Sequence, residues 1–272
     1  MQICYSAVKL SHNFEKHKSE VNSLEPIIEV RDLTKVFFSR GRKITAVNSV
    51  SFDVFKGEIF GMIGPNGAGK STTYSMLTTL TKPTSGSIKV AGFDVEKEDN
   101  EIRPIIGIVP QKLSLYSDLT VRENLELICK LYSVPKKEME ERINYYLQLV
   151  GLEAHVDRFV GGFSGGMKQR LSVICAMMHD PQILFWDEPT TGLDPQTRKA
   201  LWNLAIKFNV EGKTLIFTTH YMEEADNLCD RVAIMNLGKM VALDTPASLK
   251  EKSGGKNLED VFIHLTGEQV RD

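Results

Sequence analysis

The 272 residues carry 42% apolar and 25% charged side chains with a formal net charge of −2, the make-up of an ordinary globular protein with volume for a full core. That balance offers no basic face for DNA or RNA, so no nucleic-acid partner is expected. No apolar run approaches the ~20 residues that span a bilayer, and the first residues lack the apolar stretch of a signal peptide.

Residues 1–24 are polar and weakly patterned and read as a loose extension. A strand-like run, IIEVRDLTKVFF, follows Pro26, and ITAVNSVSFDVF (Ile44–Phe55) alternates as a second strand, with a hairpin turn at Gly41-Arg42. EIFGMIG (Glu58–Gly64) is a short apolar strand, and a helix is expected from about Lys70 to Leu80. After the turn at Pro83–Gly86, SIKVAGFDV (Ser87–Val95) reads as one strand, and Ile105–Val109 as another, ending at Pro110-Gln111. From Leu119 to about Gly162 the pattern is helical, which predicts a helical subdomain (about 112–163, plus the helix after it) inserted into an α/β core. Alternation then resumes with helix Ser164–His179, strand Ile183–Asp187, helix Pro195–Val210, strand Thr214–Thr219, helix Met222–Leu228 and strand Val232–Asn236, which complete the core. Short helices are expected around Ala247–Glu251 and Leu258–Leu265. The expected division is an extension at 1–24, one α/β domain at 25–250 and a helical tail at 251–272. Cys4, Cys129, Cys175 and Cys229 are scattered without metal-ligand spacing, as thiols in a reducing cytosol would be.

Gly64, Pro65, Asn66, Gly67, Ala68, Gly69, Lys70, Ser71 and Thr72 fit G-x-x-x-x-G-K-[ST] between a predicted strand and helix, the context such a phosphate-binding loop requires. Its glycines let backbone N–H groups turn inward to a β-phosphate, and the helix N-terminus adds about half a positive charge. Lys70 reaches the terminal phosphates and the Ser71 hydroxyl ligates Mg²⁺. ILFWDEP (Ile183–Pro189) is an apolar run ending in two carboxylates, as a buried parallel strand delivering them to the ligand edge of a sheet would be. Successive strand residues point opposite ways, so the pair divides its work: Asp187 toward Mg²⁺, Glu188 toward the attacking water. Pro189 biases Glu188 to an extended backbone. TLIFTTH (Thr214–His220) brings His220 to a third strand end, placed to hydrogen-bond a γ-phosphate and the water near Glu188.

FSGGMKQR (Phe163–Arg170) opens a predicted helix with a second anion-reading turn. A nucleoside triphosphate needs only one cradle in its own chain, so this turn points to a site shared between two copies of the fold. GLD follows at Gly192–Asp194. There is no Asn-Lys-x-Asp motif for guanine.

From about Ile27 to Leu249 these motifs, in this order, resemble the ATP-binding cassette (ABC) ATPases. The resemblance implies a P-loop NTPase core with a mostly parallel sheet flanked by helices, an antiparallel β subdomain and the inserted helical subdomain. It implies Mg²⁺-dependent ATP hydrolysis in a dimer, identical or mixed. Each site would join one chain's phosphate loop to the Ser164, Gly165, Gly166 and Met167 turn of the other, with Asp194 at the seam. It makes Gln111 a residue touching both metal and water and facing a membrane subunit, and Phe37, or its neighbour Phe38, the adenine platform. The turn departs from the commonest Leu-Ser-Gly-Gly-Gln at Phe163 and Met167. TTGLDPQTR, TTHYMEEAD and LEDVFIHLTG resemble drug-, lipid- and sodium-exporter subunits, which sit on the cytoplasmic membrane face against a separate permease. A non-transport cassette of the iron–sulfur assembly type is the alternative.

Overall fold

The computed structural model describes residues 25–39 and 41–267. The expected extension at 1–24, with Cys4, and the end of the tail lie outside the described residues. In chain order the elements are β1 (Pro26–Ser39), β2 (Arg42–Phe55), β3 (Ile59–Ile63), α1 (Lys70–Leu77), β4 (Ser85–Val90), β5 (Phe93–Asp94), α2 (Asp99–Ile102) and β6 (Ile106–Val109). Then come α3 (Val121–Leu131), α4 (Lys136–Val150), α5 (Gly165–Met177), β7 (Ile183–Asp187), α6 (Pro195–Val210), β8 (Thr214–Thr219) and α7 (Met222–Leu228). Strands β9 (Arg231–Asn236) and β10 (Lys239–Asp244) and helices α8 (Pro246–Ser253) and α9 (Leu258–Thr266) finish the chain.

Two sheets organise these elements. One is four-stranded and antiparallel in the order β2-β1-β4-β5, and the other is six-stranded in the order β10-β9-β3-β8-β7-β6. Within the second, β9, β3, β8, β7 and β6 run parallel and β10 is antiparallel at the edge. The parallel strands are buried on both faces, which explains their unbroken apolar runs. Ile59, Ile63, Leu184, Trp186, Leu215 and Phe217 join the core shared with α3–α7. Phe60, Met62, Ile183, Phe185 and Ile216 face the other way, into the core closed by α1 and the antiparallel sheet.

Several expected boundaries are corrected. Ser87–Val95 is not one strand: Ala91 and Gly92 adopt φ of 49° and 87° and fold it into a hairpin, β4 to β5. The helix expected to Leu80 ends at Leu77; the Thr78 hydroxyl donates back to the Tyr74 carbonyl at 2.9 Å and Thr79 turns left-handed at φ 61°. The core does not stop at Asn236, because Leu237 and Gly238, at φ 47° and 78°, return the chain as β10. Helix α2 was not foreseen. Cys129, Cys175 and Cys229 are buried.

Candidate functional site

Sheet register brings four strand ends to one level. Ile63 pairs with Thr219, Thr218 with Asp187, and Trp186 with Val109. The segments that leave these ends are the Gly64–Thr72 loop, the turn from Glu188, the turn at His220 and the loop at Gln111. Four motifs far apart in sequence therefore open on one edge of the sheet, as ligand sites of open α/β sheets do.

The loop's glycines are required for two different reasons. Gly64, Gly67 and Gly69 have φ of 150°, 80° and 102°, a region that strains other residues. A Cβ on Gly64 would also lie 2.2 Å from the Met235 carbonyl oxygen, and one on Gly69 2.5 Å from that of Ala46. No side chain caps α1, so its first N–H groups are left to an anion. Lys70 is buried, and its ammonium donates to the carbonyls of Gly64 at 2.7 Å and Pro65 at 3.1 Å. Burial lowers its pKa, while the charges of Glu188 and Asp187 raise it. Ser71 stands exposed on the first turn.

Asp187 and Glu188 do diverge. Asp187 accepts a hydrogen bond from the Thr218 hydroxyl; burial raises its pKa, and Thr218 and Lys70 pull it down. Glu188 is buried, and its Oε2 accepts from Gln111 Nε2 at 2.9 Å and from the Thr191 hydroxyl at 3.2 Å. His220 Nδ1 stands 3.4 Å from the same oxygen but is misaligned, so it makes no hydrogen bond there. The expected extended backbone at Glu188 is a correction: its φ is 47°. Its N–H is held by the Thr218 carbonyl at 2.9 Å and the Thr218 hydroxyl at 3.2 Å, and these bonds fix a conformation that Pro189 alone would not select. Asp187, Gln111 and Ser71 are oxygen donors of the kind a hard cation takes. Among the described residues no group of three or more His, Cys, Asp or Glu could hold a metal.

Ser164 caps α5, its hydroxyl accepting from Met167 N at 3.3 Å. Ser164 and Gly165 are exposed. A Cβ on Gly165 would meet nothing within 4 Å, whereas one on Gly166 would lie 2.9 Å from Thr197 Cγ2. The departures from the common signature point inward: Phe163 is buried in the core and Met167 packs against it, so neither alters the exposed edge of the turn. Asp194 is exposed and caps α6, accepting from Thr197 N at 2.9 Å and Thr197 Oγ1 at 2.6 Å. Phe37 is 43% exposed, with Lys35 Nζ 5.1 Å from its ring centre, and Phe38 is 79% exposed. Phe37 pairs with Ile44, two residues from the Ala46 carbonyl that abuts Gly69, so the hairpin end borders the phosphate loop. Sequence reasoning missed Thr218, Thr191 and Thr197. The first was legible only through strand register, Thr191 was hidden in a turn whose geometry the motifs do not state, and Thr197 was hidden on the first turn of α6.

The family model described as "ABC transporter" matches residues 47–191. The chain is 42% identical over 240 residues to the linearmycin resistance ATP-binding protein LnrL of Bacillus subtilis (strain 168), covering 88% of this chain and 75% of that protein. It is 43% identical over 231 residues to the Nod factor export ATP-binding protein I of Rhizobium sp. (strain N33), covering 85% and 76%. Among solved structures, a dimeric ATP-binding cassette in a post-hydrolysis state, bound to ADP and Pi, superposes with a TM-score of 0.74 at 28% identity, covering 80% of this chain and 98% of that one.

Proposed function

The chain belongs to the ATP-binding subunits of the ABC transporter family, and from that premise we propose that it hydrolyses MgATP at the strand-end site to drive export through a separate permease. The observation that carries the reading is the convergence on one carboxylate oxygen: Gln111 at 2.9 Å, Thr191 at 3.2 Å and His220 at 3.4 Å all face Glu188 Oε2 beside the Lys70 loop. In this reading the Gly64–Thr72 amides hold the phosphates, and Lys70 exchanges its loop carbonyls for the terminal phosphate oxygens. Ser71, Asp187 and Gln111 would hold Mg²⁺, which would neutralise charge at the phosphate oxygens. Glu188 accepts a hydrogen bond from the attacking water and aligns it, His220 steadies water and γ-phosphate, and Phe37 supports the adenine.

The Ser164–Met167 turn, exposed at Ser164 and Gly165, serves the ATP of a second cassette, identical or not, with Asp194 at the seam. ATP held by both halves favours the closed dimer, and loss of its γ-phosphate releases them, which is the differential affinity a conformational cycle needs. Export is supported by relatives named for linearmycin resistance and Nod factor export; nothing in those names favours the iron–sulfur assembly alternative. No helix among the described residues is long and apolar enough to cross a membrane; in this reading the permease is a separate chain that holds this one at the cytoplasmic face. The test is Glu188→Gln. It should bind ATP like the wild type yet lose about 10²-fold or more in turnover and accumulate as an ATP-dependent dimer. Near-normal turnover would remove Glu188 from the role. Ser164→Arg should spare nucleotide binding by the isolated chain and suppress hydrolysis; loss of binding would refute the shared site.

A further inference from the structure

Behind the strand-end site lies a buried carboxylate that the mechanism above does not use. Glu224 occupies the first turn of α7, where a carboxylate interacts favourably with the helix N-terminus from the surface. Instead its side chain is turned inward and only 2% exposed, with Oε1 accepting from Trp202 Nε1 of α6 at 3.1 Å. Burial raises its pKa, and the Thr219, Trp202 and Thr190 side chains and the Arg198 charge pull it back. These neighbours come from three segments, each adjoining a residue of the site. Thr219 precedes His220, and its hydroxyl accepts from Tyr221 N at 3.0 Å to shape that turn. Thr190 lies two residues beyond Glu188. Arg198 and Trp202 belong to α6, the helix that Asp194 caps, and the Arg198 guanidinium lies 5.0 Å from the Tyr221 ring centre while the His220 ring lies 4.2 Å from it.

Glu224 Oε2, Thr190 Oγ1 and Arg198 Nε are buried without a hydrogen bond among the described residues. Each such group costs stability, so an apolar joint would serve packing better, and the polar one calls for an explanation in the site it adjoins. We propose that Glu224 is a positioning residue for ATP hydrolysis: through Trp202 it ties the first turn of α7, four residues beyond His220, to α6, fixing where His220 stands beside Glu188. The proposal rests on the assignment of Glu188 and His220 to hydrolysis.

The experiment measures kcat, KM for ATP and thermal stability of the full chain and its variants. Glu224→Gln keeps an acceptor for Trp202 and a donor for the threonines, and should retain about a third or more of kcat. Glu224→Leu fills the volume without polar atoms, and should lower kcat about tenfold or more while KM and Tm stay near wild type. Trp202→Phe should lower kcat in the same sense, and the Glu224→Leu/Trp202→Phe double variant should fall no further than Glu224→Leu, as two members of one joint do. Wild-type kcat in Glu224→Leu, effects that multiply in the double variant, or a kcat loss accompanied by equal loss of stability and ATP affinity would overturn it. A wild-type chain without ATPase activity would overturn instead the functional reading on which it stands.

Discussion

At the scale of single residues, the two signature glycines have different neighbours, and that difference can be measured. Gly165 has open space where a Cβ would stand, while at Gly166 the Cβ would press on Thr197. Thr197 is β-branched and its hydroxyl is bound to Asp194 at 2.6 Å, so it cannot swing aside without breaking that bond. Gly166→Ala should therefore destabilise the isolated chain by about 1–3 kcal/mol. Gly165→Ala should leave it as stable or slightly more so, since alanine is the better helix residue. If Gly165→Ala nonetheless suppresses hydrolysis at unchanged stability, the space beside it is filled in the working dimer by the other subunit's nucleotide. Unchanged turnover would sink that idea. The site's main residues were legible because each is bound to a rigid local pattern: glycines with a lysine, or a carboxylate ending an apolar run. The threonines were not, because Thr218, Thr190 and Thr191 act through where the sheet and turns put their hydroxyls. Glu188 shows the same limit, since the bias from Pro189 was overridden by two hydrogen bonds from a strand thirty positions away.

At the scale of elements, α6 is the part that touches most of the machinery. Its first turn carries Thr197 against the signature turn, its cap is Asp194, and Trp202 reaches Glu224. Capping and seam roles of Asp194 can be separated, because asparagine caps helices as well as aspartate does. The hydrogen bonds from Thr197 hold the Asp194 pKa below its usual range. Asp194→Asn should keep the Tm of the isolated chain while altering ATP-dependent dimerisation; Asp194→Ala should lower the Tm as well. Equal dimerisation and turnover for wild type and Asp194→Asn would leave the carboxylate only its capping work. Helices and parallel strands with a strong period were found in place from sequence. Besides the four-residue α2, too short to show a helical period, two of the missed features are made by positive-φ turns: Ala91-Gly92 splits one apparent strand, and Leu237-Gly238 adds β10. A leucine or alanine in that conformation gives no sequence signal, because the flanking strands, not the turn residue's own preference, hold it there.

At the scale of the whole molecule, the proposed site lies at the carboxyl end of the parallel sheet, while at the amino end a buried carboxyl meets a partly exposed guanidinium. Glu58, fully buried before β3, accepts from Phe55 N at 2.7 Å and from Arg231 Nη1 at 3.2 Å. Arg231 lies 5.0 Å and 5.7 Å from the ring centres of Phe55 and Phe60, and Asp230 Oδ2 accepts from Ile59 N at 2.9 Å. Burial pushes the Glu58 carboxyl up to about 7, against the pull of the Phe55 amide and Arg231. A pKa raised on folding means that the native state binds the proton more tightly than the unfolded chain. The stabilisation this gives is complete below the unfolded value and is lost as pH rises through the folded one. Over the window from about pH 4.5 to 7 that loss is on the order of 3 kcal/mol. Glu58→Gln keeps one oxygen to accept from Phe55 N, replaces the oxygen facing Arg231 by an NH2, and has no proton to lose, so its urea-unfolding free energy should vary less across that window than the wild type's. The two should be close near pH 5 and diverge toward pH 7.5 in favour of the variant. Parallel curves would show that Arg231 fully compensates the buried charge. ATPase activity measured at saturating ATP should be the same for both chains where both are folded, since the sheet separates Glu58 from the Glu188 edge by the length of β3. A shared change in activity and stability would mean that the two ends of the sheet are coupled through Thr214, whose hydroxyl accepts from Gly57 N at 2.9 Å at the start of the strand that delivers His220.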